Sequence, residues 1–214
     1  LFAVIIETLG CNIETSSLDT SLDSLLNDLH KRINLIRQLR VDFTKTRHSS
    51  SFKAPVSVKG TLIYQRPGNF FMRYRGGVDV QVLSNGNIVR IVHDEGLAET
   101  FVLNSDRNAG IFSDPWIELI ATIGRGGFDK LLTVELVGKN ELIDIDFVGK
   151  NQRPFEHVKR MTLSASHFGE IKHFTVVFSD GDFDEINFDS WSVLLDTDPE
   201  IVDLETRLKT ISAN

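Results

Sequence analysis

Six histidines, one cysteine and a run of carboxylates are the residues of this 214-residue chain that could do chemistry. His30, His48, His93, His157, His167 and His173 show no H-E-x-x-H spacing, and none stands beside a cysteine. His167 and His173 flank a Gly-Glu turn at a separation that suits adjacent strands, which would let the pair meet at a metal. Asp180, Asp182, Asp184 and Glu185 crowd the S-D-G-D-F-D-E segment, but the ligand order of a calcium-binding EF-hand loop is absent, so they read as a solvated turn. No G-x-S-x-G elbow, P-loop or strand-linked G-x-G-x-x-G is present. Cys11 has no histidine in its own segment to activate it as a nucleophile. The sequence therefore assigns no catalytic residue, no metal and no cofactor. A hydrolase or metal enzyme built on His167, His173 and the acidic turn is the reading that metal analysis would test.

Cys11 has a second use. The apolar run Leu1–Ile6 is followed by E-T-L-G-C, which loosely resembles a bacterial lipobox, with Glu7 interrupting the run and Thr8 where leucine is preferred. Lipidation at Cys11 is one reading; a leader remnant or an ordinary apolar segment is the other. A single cysteine excludes an intramolecular disulfide and a cysteine-based zinc site. No stretch approaches the roughly 20 apolar residues a membrane-spanning helix needs. The net charge of −7 argues against a general nucleic-acid binder and supplies no polybasic surface for anionic membranes.

The elements that must position these residues come in two kinds. Leu22, Leu25, Leu26, Leu29, Ile33 and Ile36 recur at helical spacing and predict an amphipathic helix from Leu18 to about Leu39. From Val41 onward the period changes to two, with short apolar runs at 78–83, 87–92, 100–103, 131–137, 142–148, 158–165, 171–178 and 184–188. Between them stand turn sequences such as R-P-G-N, S-N-G-N and S-D-G-D, which supply positive-φ positions. Asp114, Pro115 and the glycines near 124–127 bracket a short helix containing Trp116. The tail from Asp196 is acidic and then weakly helical. This pattern predicts a mainly β chain with helices (α+β): an antiparallel meander forming an incomplete barrel or a strongly curved sheet. The chain contains 15 Phe against 2 Tyr and 2 Trp, so its aromatic surface carries few polar groups and suits either a closed core or a greasy cavity. Periodicity alone leaves both open.

Within G-T-L-I-Y-Q-R-P-G-N-F-F-M-R-Y, alternation puts Leu62 and Tyr64 on one face, and Arg66 ends that same face at the turn. Snorkelling at a sheet rim would explain such an arginine. The order of features supplies another explanation. An amphipathic helix ending in R-V-D-F-T-K-T, a G-x-L-x-x-x-R-P motif at Gly60–Pro67, the S-N-G turn at 84–86, D-P-W-I-E-L-I at 114–120 and the hairpin pair at 169–191 together resemble the periplasmic outer-membrane lipoprotein carrier family, LolA. Lys45 stands where glutamine is common in that family, and the family's usual C-terminal Phe-Pro strand is replaced by residues 196–210.

The resemblance implies a curved sheet covered by a helical lid, binding lipoprotein acyl chains or other lipids and passing them toward the outer membrane. It implies an inner-membrane ABC transporter and an outer-membrane receptor as partners, a monomeric carrier, a periplasmic location and no enzymatic step. Arg66 alone matches the family arginine that bonds to the lid and holds the empty state closed. Expected lipid-binding residues are Leu62, Tyr64, Phe70, Met72, Val80 and Val82 from the strands, with Leu25, Leu29 and Trp116 from the covering helices. Residues 1–15 are expected to be a leader remnant or tether, and 16–214 a single lipid-binding domain. An anchored receptor or sensor of the same fold, tethered through Cys11, and a non-lipid protein-interaction module are the other readings.

Overall fold

The computed structural model describes residues 37–66, 68–76, 79–93, 96–102, 132–139, 142–149, 157–166 and 171–212. Eleven strands form one sheet: β1 (Gln38–His48), β2 (Val56–Gln65), β3 (Asn69–Arg75), β4 (Val80–Asn85), β5 (Ile88–His93), β6 (Ala98–Val102), β7 (Leu132–Lys139), β8 (Leu142–Gly149), β9 (Val158–Ser166), β10 (Ile171–Phe178) and β11 (Phe183–Val193). Among the described residues one helix, α1 (Pro199–Ser212), follows. The expected strands all form, and the weakly helical tail is α1. The strand order is β6-β5-β4-β3-β2-β1-β11-β10-β9-β8-β7, with the neighbours antiparallel, and β6 and β7 are the two edges. The fold class is therefore the expected unclosed antiparallel sheet with a helix against it. Eleven twisted strands do not lie flat, because the right-handed twist accumulates from strand to strand.

One boundary differs from expectation. The predicted helix runs to about Leu39, but β1 begins at Gln38, and Leu39 pairs with Tyr64 on one side and Val193 on the other. Leu39 continues the alternation of Val41 and Phe43, and burial on the sheet overrides the helical spacing. The remainder of that helix and the helix expected near 113–127 lie outside the described residues.

The seam between β1 and β11 joins the two halves. Its register shifts between Asp42 and Phe43, a bulge. Asp42 holds three strands together at that point: it accepts from Arg40 on β1, from Thr61 on β2 at 2.7 Å and from Ser190 on β11 at 3.1 Å. Burial alone would raise the Asp42 pKa, but these hydrogen bonds outweigh it and hold the carboxyl below its ordinary range.

Alternation gives the sheet two unlike faces. α1 lies against Ile63, Phe71 and Leu83 on one of them through Ile201, Leu204, Leu208 and Ile211, spaced three, four and three apart. Asp198 and Pro199 begin the helix; Asp198 receives the Leu195 amide on its side chain and the Ile201 amide on its carbonyl. Arg207 stacks over the Phe71 ring at 4.6 Å and pairs with Asp203. On the other face the Phe43 ring covers Gly60 and meets Tyr74 edge-on at 5.6 Å.

A Cβ at Gly60 would come within 2.2 Å of Phe43 Cζ, well inside contact distance. Gly60→Ala is expected to destabilise the protein by about 1–3 kcal/mol, the usual cost of overpacking a filled core. Urea unfolding measures this directly, and an unchanged midpoint would mean that the Phe43 ring has another place to go.

Candidate apolar binding face

The residues expected to bind lipid occupy one face in register. Val41, Leu62, Met72, Val82 and Ile91 stand opposite one another across β1 to β5. The next rung is Leu39, Tyr64, Phe70, Ser84 and Val89, and on the other side lies Phe43, Gly60, Tyr74, Val80 and His93. Leu62, Tyr64, Phe70, Met72 and Val82 are each at most 1% exposed, while Val80 is half-buried. A one-residue slip would have turned the whole set to the side of α1. Alternation therefore places all six on the face opposite Ile63. Leu25, Leu29, Trp116 and Cys11 lie outside the described residues.

The face extends further than the expected residues. Leu39, Val41 and Phe43 on β1 and Tyr74 on β3 complete the rungs, and Met161, Leu163, Phe174, Val176 and Ile186 carry the buried surface across β9 to β11. Alternation in M-T-L and F-T-V marks Met161, Leu163, Phe174 and Val176 as one-sided.

Two polar groups stand out against this surface near its Leu39 end. The Tyr64 hydroxyl is buried and has no hydrogen-bond partner among the described residues. Burial pushes the phenol up to about 12, and the positive charge of Arg66 partly opposes that rise. Arg66 itself sits half-buried in the turn after β2, where its amide donates to the Arg37 carbonyl at 3.0 Å.

The residues considered for catalysis are dispersed. Both ring nitrogens of His173 are engaged, Nδ1 with Asn187 at 2.8 Å and Nε2 with Thr175 at 2.7 Å, on the polar side of the sheet. His167 lies outside the described residues. His48 stacks on Phe183 at 4.2 Å and pairs with Glu185 at 3.0 Å. The acidic run is not one solvated turn, which corrects the sequence reading. Asp182 accepts from the Ser50 amide and from Arg47. β11 alternation then sends Glu185 to one face and Asp184 to the other, where Asp184 is 2% exposed. Its neutralising partners, Lys45 and Arg47, come from β1, far away in sequence. Among the described residues no group of three or more histidine, cysteine, aspartate or glutamate side chains is placed to hold a metal, and no helix is long and apolar enough to cross a membrane.

Residues 34–201 match the family described as outer membrane lipoprotein carrier protein LolA. Among curated protein sequences none matches this chain. Similar solved structures include a DUF1329 family protein from Desulfovibrio piger, 9% identical, covering 81% of this chain and 93% of that one with a TM-score of 0.46. A putative outer membrane lipoprotein-sorting protein domain from Vibrio parahaemolyticus is 6% identical, covers 86% of this chain and 96% of that one, and has a TM-score of 0.46. The MucA/MucB complex from Pseudomonas aeruginosa is 14% identical, with 81% of this chain and 57% of that one covered at a TM-score of 0.40.

A buried hydroxyl without a partner carries its full desolvation penalty, on the order of 1–3 kcal/mol. Tyr64→Phe is expected to raise the unfolding free energy by about 1 kcal/mol, measured by urea denaturation. A loss of stability would show that the hydroxyl is satisfied in solution.

Proposed function

The chain belongs to the LolA outer-membrane lipoprotein carrier family, and from that premise we propose that it is a periplasmic carrier of acyl chains. It takes up the acyl chains of lipoproteins, or other lipids, on the apolar sheet face and passes them toward the outer membrane. The observation that carries this reading is the set of apolar rungs running in register across β1 to β5, opposite the face that α1 covers. A sheet whose second face needed no ligand would gain nothing from being so uniformly apolar unless another part of the chain closed on it. The amphipathic segments at 18–36 and 113–127 are the proposed cover, with Leu25, Leu29 and Trp116 turned toward the cargo. Such a device needs no catalytic residue and no cofactor, and the family's fold is one that binds and carries. The proposed partners are an inner-membrane ABC transporter as donor and an outer-membrane receptor as acceptor.

Energetics explain why the cover matters. Burying an acyl chain contributes about 0.8 kcal/mol per methylene, so one long chain is worth roughly 10 kcal/mol. A carrier that held cargo with all of that free energy could not deliver it. A stable closed state in the absence of cargo subtracts from the net affinity, because opening must be driven by binding. Arg66 is the proposed latch of that closed state, positioned at the turn where a charge-assisted hydrogen bond to the cover would form. The Tyr64 hydroxyl beside it is the proposed donor to a carbonyl oxygen of the cargo.

The decisive experiment is to purify the protein from a Gram-negative host, extract it with organic solvent and identify bound acyl species by mass spectrometry. Bound acyl material and saturable uptake of a fluorescent fatty acid are expected. A protein that is reproducibly empty and takes up no fatty acid would overturn the reading. In the same assay Arg66→Leu is expected to slow cargo release about tenfold, equivalent to ~1.4 kcal/mol of lost closing free energy. Unchanged release would leave Arg66 as a turn residue only.

A further inference from the structure

The apolar row of β1 ends in charge, toward the His48 end of the strand. Along β1 the row that begins Leu39, Val41 and Phe43 continues as Lys45 and Arg47. Across the seam Lys45 stands opposite Ile186 and Arg47 opposite Asp184. Asp184 accepts from Lys45 Nζ on one oxygen at 3.1 Å and from Arg47 Nη1 on the other at 3.2 Å. The Asp184 side chain is 2% exposed and that of Lys45 14%. Arg47 also lies over the Phe178 ring at 4.2 Å and reaches Asp182 at 3.5 Å. Apolar residues adjoin the cluster: Phe174 pairs with Ile186, and Val176 with Asp184.

Asp184 is the buried member of the cluster and Arg47, 33% exposed, the outermost; breaking the buried carboxylate away from its cations without new hydrogen bonds costs far more than burying a methylene or two returns. Each methylene added to a buried chain tightens binding about fourfold. One or two methylenes therefore cannot displace two cations from a shared carboxylate. A chain lying along β1 from the Tyr64 end meets this barrier about 20 Å from Leu39, six residues on at strand spacing.

We propose that Lys45, Arg47 and Asp184 form a stop that sets the longest acyl chain the apolar face accepts. This rests on the acyl-binding reading above and adds a selectivity to it. The cluster terminates the alkyl end of the ligand, so chains beyond the limit gain nothing from their extra methylenes.

The test uses lysophosphatidylcholines with single saturated chains from lauroyl to behenoyl, whose zwitterionic head presents no net charge to the cluster. Affinities are measured by competition with a fluorescent fatty acid on the full chain. The expected result is a rise of about fourfold per methylene, then a plateau. The triple variant Lys45→Met, Arg47→Met, Asp184→Leu is expected to bind the lauroyl ligand like wild type and to keep gaining affinity past the wild-type plateau. A second measurement uses wild-type protein alone: a fatty acid with a diazirine at its methyl end, at the plateau length, is expected to label residues 43–47 or 184–186. A plateau at the same length in both proteins, affinity that rises without limit in wild type, or labelling elsewhere would each overturn the stop while leaving the acyl-binding reading intact. Failure of every chain to bind wild-type protein would bring down the acyl-binding reading and the stop with it.

Discussion

The pairing of β1 with β11 is the constraint on which the rest of the sheet depends. Every other strand pair in the order joins neighbours in sequence, so β1 to β6 and β7 to β11 could each form as a local meander. Only the β1:β11 ladder turns two meanders into one surface. Its register decides which side chains meet: it aligns Val41 with Trp191 and, past the bulge, Phe43 with Phe188 and Arg47 with Asp184. A slip by one residue would send Asp184 to the polar face and leave Lys45 and Arg47 buried without a counter-charge. The bulge at Asp42 and its three hydrogen-bond donors pin that register from the opposite face.

The two faces then divide the labour. Over β2 to β4 the side opposite the apolar face is filled by α1, so these strands are packed from behind. Arg40 pairs with Glu200, Gln65 donates to Glu205 and Gln38 donates to Asp196, tying α1 and the segment before it to β1 and β2. A wall supported in this way keeps Leu62, Tyr64, Phe70 and Met72 in fixed positions. On β8 to β11 the same side is polar instead, with the hydrogen-bonded pairs Ser164–Asp144, Thr162–Asp146 and His173–Asn187. The apolar face is continuous over both regions; the support behind it is not.

Much of this was legible in the sequence, and the limits have physical causes. Period-two alternation fixes which residues share a face, and for that reason Leu62, Tyr64, Phe70, Met72, Val80 and Val82 come together as expected. Alternation says nothing of which strand lies beside which, so the β1:β11 seam was not legible. Leu39 fits the end of a helical pattern as well as the start of a strand, and only its pairing with Tyr64 and Val193 decides between them. Asp184 looked solvated because its acidic neighbours are close in sequence, whereas the cations that allow its burial arrive from β1 through the fold. The tail after Asp196 shows its helical spacing, but its role appears only when Ile63, Phe71 and Leu83 are seen to need cover.

The positions of the two polar features bear on how an amphiphile would lie on this face. Tyr64 and Arg66 stand at the Leu39 end of β1, and Lys45 and Asp184 stand about 20 Å further along at strand spacing. Between them the rows of β1 and β2 are aliphatic and aromatic. The first feature has a hydroxyl to donate; at the second, the Asp184 carboxylate already accepts from both cations. For the acyl cargo proposed above, this arrangement favours the carbonyl toward Tyr64 and the methyl end toward Lys45. In the reverse orientation the Tyr64 hydroxyl would stay against hydrocarbon and keep its desolvation penalty, and the polar end would gain no contact there.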